Sequence, residues 1–317
     1  MKERKNGGNY VHYKETKTIL SPSNGCNLYR GCTHGCIYCD SRSKCYQMEH
    51  AFEDIEVKEN ALSILEEELK KKRKKGIIST GSMSDPYLPI ENQLNLTRGM
   101  LELAYSYGFG VHLQTKSSLI LRDLGLLKKI NQQTKVRISI TLTTADEDLC
   151  KILEPHVSTT KERFEVLKRL NQEGIETYVW LSPILPFIND TLDNLREILR
   201  MCKEANVTGI LCFGFGVTLR EGNREYFYEK LDEFFPKLKE NYIKHYGNSY
   251  ACNSIYHKYL MDYFQKFCKE NHILYNIEEI FKKLHTLYVD QGYEQISIFS
   301  EELSLPSKPK KSRKSKK

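Results

Sequence analysis

The sequence predicts an α/β fold: a partial (β/α)6 TIM-like barrel, followed by a helical extension and a basic tail. Three observations predict it. Short apolar runs alternate with longer amphipathic stretches from about residue 17 to residue 214, the pattern of strand–helix units that cross over to build a parallel sheet. Six such units are visible, which suits an incomplete barrel better than a closed eight-fold one. After Gly214 the alternation stops, and the chain becomes helical and rich in Tyr, Phe and Lys.

The predicted strands are Thr18–Ser21, Gly76–Thr80, Gly110–Thr115, Val136–Leu142, Glu176–Leu181 and Val207–Phe213. Each is a short apolar run bounded by turn or polar residues. Between them, Val57–Arg73, Thr97–Tyr107, Ile120–Ile130, Thr160–Gln172 and Thr191–Ala205 carry apolar residues at helical spacing. The expected organisation is an N-terminal segment (1–16), the barrel (17–215), a helical region (216–290) and an extended tail (291–317). Lys70–Lys75 is a run of six basic residues behind Glu66, Glu67 and Glu68. A solvated helix end, favoured by the macrodipole, is the first reading, with a nucleic-acid patch as the alternative.

The chain has 317 residues and a net charge of +7. Lys308, Lys310, Lys311, Arg313, Lys314, Lys316 and Lys317 supply all of that excess, so the basicity belongs to the tail and residues 1–307 are formally neutral. Such a tail either solubilises the chain or strengthens binding to a polyanion. No apolar run approaches the roughly 20 residues of a membrane span, and no secretory signal is visible, so no membrane partner and a cytoplasmic location are expected. Ten cysteines in that setting argue against a disulfide framework.

Three of those cysteines, Cys32, Cys36 and Cys39, fall within eight residues as Cys-x3-Cys-x2-Cys. Three local thiolates can hold a [4Fe–4S] cubane with one iron left open. The rival reading is a structural zinc site, with His34, Cys26 or Cys45 as fourth ligand. However, no second Cys-x2-Cys element is present to complete a zinc knuckle. Cys26 and Cys45 flank the triplet and are read as packing residues, with an auxiliary redox role as the alternative.

The motif resembles that of the radical SAM superfamily. Arg30–Cys39, Ser84-Asp85-Pro86-Tyr87-Leu88-Pro89-Ile90-Glu91, Thr115-Lys116-Ser117, Leu121-Arg122-Asp123, Arg137-Ile138-Ser139-Ile140-Thr141, Leu153-Glu154-Pro155 and Pro183–Asp190 are similar to the DNA repair photolyase subgroup, related to spore photoproduct lyase. The resemblance implies a barrel of the radical SAM type, a [4Fe–4S] cluster on Cys32, Cys36 and Cys39, and S-adenosylmethionine (SAM) cleaved reductively to a 5′-deoxyadenosyl radical. It also implies an external electron donor such as flavodoxin or ferredoxin, and a DNA or other nucleic-acid substrate. Two other readings stay open: a radical SAM enzyme acting on a peptide, protein or small molecule, and a non-catalytic metal-stabilised binding protein.

Reactive groups in parallel barrels gather at the C-terminal ends of strands. There, Lys116 suits the SAM carboxylate, Ser84, Asp85 and Ser139 its polar groups, Gly81 a close backbone approach, and Tyr38 and Ile184 the adenine. The resemblance implies like roles for Lys116, Ser84 and Ser139. Each has a plainer reading: Lys116 as a surface residue, Ser139 satisfying a backbone group, Asp85 forming a turn before Pro86. Arg220, Asn223 and Arg224 follow the sixth strand as candidate substrate contacts; the alternative is that Asn223 and Glu221 cap the helix that follows. Where spore photoproduct lyase uses a cysteine just before its Ser-Asp pair, this chain has Ser82. Cys212 is then the candidate hydrogen donor, against the commoner role of a buried cysteine.

One further segment, Gln295-Ile296-Ser297-Ile298-Phe299, resembles the bacterial sliding-clamp pentapeptide. It is expected either to dock on a clamp or to form a short edge strand, since Ile-Ser-Ile-Phe alternates.

Overall fold

β-Branched runs become strands here when turn chemistry brackets them, and the computed structural model describes residues 3–6 and 9–287. The clamp-like segment Gln295–Phe299 and the basic tail lie outside those residues. Four short strands come first: β1 (Glu3–Asn6), β2 (Asn9–Lys14), β3 (Tyr29–Arg30) and β4 (Ile55–Lys58), arranged β1-β2-β4-β3. This sheet is absent from the sequence-based expectation, which carries Val57 into the first helix. Ile55 and Val57 are buried while Glu56 and Lys58 are half-exposed. That period of two runs for only four residues before the helical pattern begins, too short to read by periodicity.

The central sheet has five parallel strands in sequence order: β5 (Ile77–Thr80), β6 (Gly110–Thr115), β7 (Val136–Thr141), β8 (Glu176–Trp180) and β9 (Gly209–Leu211). Between β4 and β9 run α1 (Ala61–Lys71), α2 (Glu91–Leu94), α3 (Leu96–Tyr107), α4 (Leu124–Gln133), α5 (Glu147–Leu153), α6 (Thr160–Gln172) and α7 (Leu192–Glu204). The boundaries follow local chemistry. Thr159 and Glu162 form a capping box at the start of α6, and Gly108 ends α3 at φ 69°. The expected first strand, Thr18–Ser21, is reduced to isolated pairings. Leu20 bridges Cys26, the chain reverses through Asn24 at φ 62°, and Gly25 makes a single parallel bridge to Ser79. Ser21-Pro22-Ser23-Asn24-Gly25 is turn chemistry, which leaves no room for a continuous strand.

The two faces of the sheet differ. Ile78, Val111, Ile138, Val179 and Ile210 point to the helices and form the main core. The register places Ser79, His112, Arg137 and Glu176 side by side on the other, concave face. After β9 the chain forms β10 (Gly216–Thr218), α8 (Asn223–Phe234), α9 (Leu238–Tyr246), β11 (Ala251–Asn253), α10 (His257–Glu270) and α11 (Ile277–His285). Helix α11 returns to the concave face. Its Ile280 and Leu284 pack on Tyr178 and Leu211, and the Arg137 guanidinium donates to the Thr286 carbonyl at 2.8 Å. All described residues belong to one compact unit. Among them, no helix is long and apolar enough to cross a membrane.

Candidate active site

The cysteine loop leaves β3 at Gly31, whose φ of +88° and surroundings require glycine: a Cβ would lie 2.5 Å from the Asp54 carbonyl oxygen. The Cys32 amide donates to the Phe52 carbonyl at 2.9 Å, and the Ser84 hydroxyl to the Gly31 carbonyl at 2.6 Å. At its far end the loop is tied to the segment after α5. Ile37 N–H donates to Leu153 C=O at 3.0 Å, and His156 N–H to His34 C=O at 3.2 Å. Pinned at both ends, the loop presents Cys32, Cys36 and Cys39 to one cavity at the C-terminal end of the sheet. Gly81, Ser82, Ser84, Asp85, Lys116 and Thr141 line it from the other side.

The donor set fits an iron–sulfur cluster. Among the described residues, no three His, Cys, Asp or Glu side chains gather tightly enough to ligate one metal ion. A structural zinc site needs four ligands about one point, whereas three thiols along a cavity wall suit a larger, multi-iron object. Burial pushes the Cys32 thiol up to about 12, with Cys39 adding to it. Burial also raises Cys36 well above the usual thiol range, although Lys116 beside it acts in the opposite direction. Thiolates here therefore call for added positive charge, which a bound metal cluster brings.

Asp85 organises the opposite wall. Its Oδ1 accepts from the Thr115 hydroxyl at 2.6 Å and from Tyr87 N–H at 2.8 Å, and its Oδ2 accepts from Lys116 N–H at 2.8 Å. His34 Nδ1 lies 3.5 Å from the same oxygen. The carboxylate thus ties the end of β6 to the turn before Pro86 and to the cysteine loop, and it is the turn former as well as a cavity residue. Burial alone lowers the Lys116 pKa, but Cys36, Glu154 and Asp85 outweigh it and raise the pKa, so the ammonium stays charged. It stands 3.5 Å from the Thr141 hydroxyl.

A buried network supports the loop from behind. The Tyr38 hydroxyl donates to Glu154, whose other oxygen accepts from Arg163 at 2.5 Å. Arg163 also donates to the Thr141 carbonyl at 2.8 Å. Burial opposes the Glu154 charge, yet Arg163 and Lys116 hold its carboxyl below the usual range. Sequence reasoning quotes Glu154 only within a motif and does not single out Arg163, because their pairing across nine residues is made by folding. Thr141, Gln114 and His34 also line the cavity. Thr141 lies with Ser139 on the fourth predicted strand, so its strand position was readable from the sequence.

The structure brings Cys32, Cys36, Cys39, Gly81, Ser84, Asp85 and Lys116 together. Gly81 is held at φ +105°, where a Cβ would meet the Gln114 carbonyl at 2.0 Å. Exposed Ser82 lines the same cavity. Tyr38 and Ile184 are not among its lining residues: Tyr38 packs against the segment around Leu153, and Ile184 sits in the main core. Ser139 is fully buried on β7, its hydroxyl 2.9 Å from His112 Nε2. Cys212 faces the main core with its sulfur 3.9 Å from that of Met261. Asn223 accepts from Arg220 N–H at 2.6 Å and donates to the Thr218 carbonyl at 3.0 Å, which is local capping. Arg224 donates to the carbonyls of Leu219, Gly247, Asn248 and Ser249. Arg220 instead stays partly exposed beside the cysteine loop. It donates to the Tyr250 hydroxyl at 2.7 Å and to Cys45 at 3.3 Å, and lies 3.4 Å from Asp40.

The chain is similar to known proteins in sequence and in fold. Uncharacterized protein Rv2578c of Mycobacterium tuberculosis is 28% identical over 227 residues, covering 68% of this chain and 65% of its own length. The chain thus spans about 65% of the length of the mycobacterial relatives it matches. Uncharacterized protein ORF301 of Acidianus two-tailed virus is 32% identical over 230 residues, covering 68% of this chain and 74% of that one. Among solved structures, spore photoproduct lyase complexed with dinucleoside spore photoproduct is similar in fold, with TM-score 0.58 and 14% identity over 84% of this chain and 81% of that one. A spore photoproduct lyase variant with bound AdoMet and dinucleoside spore photoproduct gives TM-score 0.55 at 15% identity, over 84% and 80%. The family model of the Radical SAM superfamily matches residues 26–202, more than half of the sequence, and the chain belongs to that superfamily.

Proposed function

We propose that this protein is a radical SAM enzyme acting on DNA or another nucleic acid. The observation that carries the reading is the single cavity where Cys32, Cys36 and Cys39 face Lys116, in a fold shared over 84% of the chain with a lyase solved on its dinucleoside lesion. The superfamily's cofactors are a [4Fe–4S] cluster and SAM; when bound, they supply reductive cleavage of the sulfonium to methionine and a 5′-deoxyadenosyl radical, using one electron from an outside donor such as flavodoxin or ferredoxin. Cys32, Cys36 and Cys39 hold the cluster. Lys116 pairs with the SAM carboxylate, and Asp85 positions it through its backbone. Gly81 lets the chain approach closely, and Ser84 fixes the cysteine loop. Tyr38 braces the cysteine loop through Glu154, whereas Ile184 packs in the main core and Ser139 is engaged with His112. Arg220, the partly exposed member of its trio, is the candidate contact for a substrate phosphate. Ser82 argues against hydrogen return by a thiol at that position, because a serine O–H bond is too strong to replace it readily. A cytoplasmic location follows from this oxygen-sensitive chemistry.

The test is an anaerobic assay of the reconstituted protein with SAM, dithionite and deuterated oligonucleotides, intact and damaged. Deuterium appearing in 5′-deoxyadenosine or SAM is the expected result. SAM cleavage without transfer from any oligonucleotide, but with transfer from a peptide or small-molecule fraction, would overturn the substrate class and keep the enzyme class.

A further inference from the structure

The concave face carries an aromatic group that the cofactor chemistry does not use. Register partners point to the same face of a sheet. Thr141, which lines the cysteine cavity, pairs with Trp180, and Trp180 pairs with Leu211. Two residues beyond Leu211, Phe213 places its ring 5.1 Å from Trp180 and 6.1 Å from Phe281 of α11. Three rings therefore meet at the C-terminal end of β8 and β9, one strand away from the cavity wall.

Phe213 is 51% exposed, whereas Phe215 is fully buried. The difference is built into the backbone. Gly214 adopts φ +123°, and a Cβ there would lie 2.7 Å from the His257 imidazole. Phe215 N–H donates to His257 Nδ1 at 3.2 Å. The loop is thus held so that one phenylalanine enters the core and the other stays on the concave face, forgoing burial.

We propose that Trp180, Phe213 and Phe281 form a stacking shelf for one base of the substrate, a proposal that rests on the nucleic-acid reading above. A planar base stacks on the exposed Phe213 ring, which Trp180 and Phe281 brace at tilts of 47° and 45°, and stacking of this kind is tolerant of sequence. The position beside the cavity, not over the thiols, suits a base flanking the reacting nucleotide. The adenine of SAM shares this chemistry, so the experiment separates the two.

The anaerobically reconstituted full-length protein is titrated against a fluorescein-labelled single-stranded oligonucleotide by anisotropy, and separately against SAM. Phe213→Ala is expected to weaken oligonucleotide binding about tenfold or more, leave SAM affinity within about twofold, and be rescued by Phe213→Trp. Equal losses for oligonucleotide and SAM would assign the shelf to the cofactor's adenine and overturn the proposal. Unchanged oligonucleotide affinity in both variants would overturn the shelf alone. No oligonucleotide binding by the wild-type protein, with SAM cleavage intact, would overturn the shelf together with the nucleic-acid reading.

Discussion

Each cavity residue makes a separable demand. Cys32, Cys36 and Cys39 supply the three soft donors there. Replacing any one by Ala is expected to remove the broad absorbance near ~400 nm and most of the bound iron. Cys26→Ala and Cys45→Ala are expected to keep both, because Cys26 is buried in the main core and Cys45 sits against Arg220. Iron analysis decides the matter: loss in Cys45→Ala with retention in Cys36→Ala would reverse the assignment. Lys116→Ala should leave the cluster in place and weaken SAM by roughly 1.5–3 kcal/mol, the scale of a charge-assisted hydrogen bond. Calorimetric titration of the reconstituted variant showing unchanged SAM affinity would remove Lys116 from the pocket. The cysteine spacing was readable because all three thiols lie close together in the chain. Lys116 was readable because a strand end announces it. The tie from Asp85 to the Lys116 amide was not, since it joins residues 31 apart.

At the scale of elements, α5 and α6 hold the cysteine loop through the buried pair Glu154–Arg163, both fully shielded from solvent. Glu154→Gln leaves the Arg163 guanidinium buried without its counter-charge and removes a charged acceptor from Tyr38. A loss of about 3–5 kcal/mol in unfolding free energy is expected. A urea midpoint within the error of wild type, at unchanged slope, would show that the Thr141 carbonyl and Cys150 satisfy Arg163 alone. Element boundaries were legible where local chemistry is strong. The limits of α6 match the predicted Thr160–Gln172 because a capping box starts it, and β6 matches Gly110–Thr115. Strands of two to four residues, such as β3, β4, β10 and β11, are too short to show a period and rely on their partners.

The whole molecule adds one device that no single element contains. Helix α11 closes the concave face, burying His112 between Ser139, Arg137 and His285. Burial first, and then the neighbouring His285 and Arg137, push its pKa down to about 3 from 6.5. Between those values the unfolded chain takes up a proton that the fold excludes. The associated stability is therefore complete above about pH 6.5 and is lost as the pH falls toward 3, by up to about 1.4 kcal/mol per pH unit. Thermal melts at pH 7 and pH 5 are expected to separate more for wild type than for His112→Gln. Parallel shifts in the two proteins would mean that His112 does not stay neutral in the fold.

By itself the sequence determined the α/β class, the five strands of the central sheet and the close spacing of three cysteines that the fold turns to one cavity. Those rest on hydrophobic periods, caps and ligand spacing, which act over a few residues. Only the tertiary structure decided that the fifth and final parallel strand, β9, is followed by a chain that returns to cover the concave face. It alone set which strand-end residues share the cavity, that Arg224 reaches the carbonyls of Gly247, Asn248 and Ser249, and that Phe213 meets Trp180 and Phe281. The physical reason is the same in each case: these contacts join segments tens of residues apart, and their partners are chosen by packing and not by neighbouring sequence.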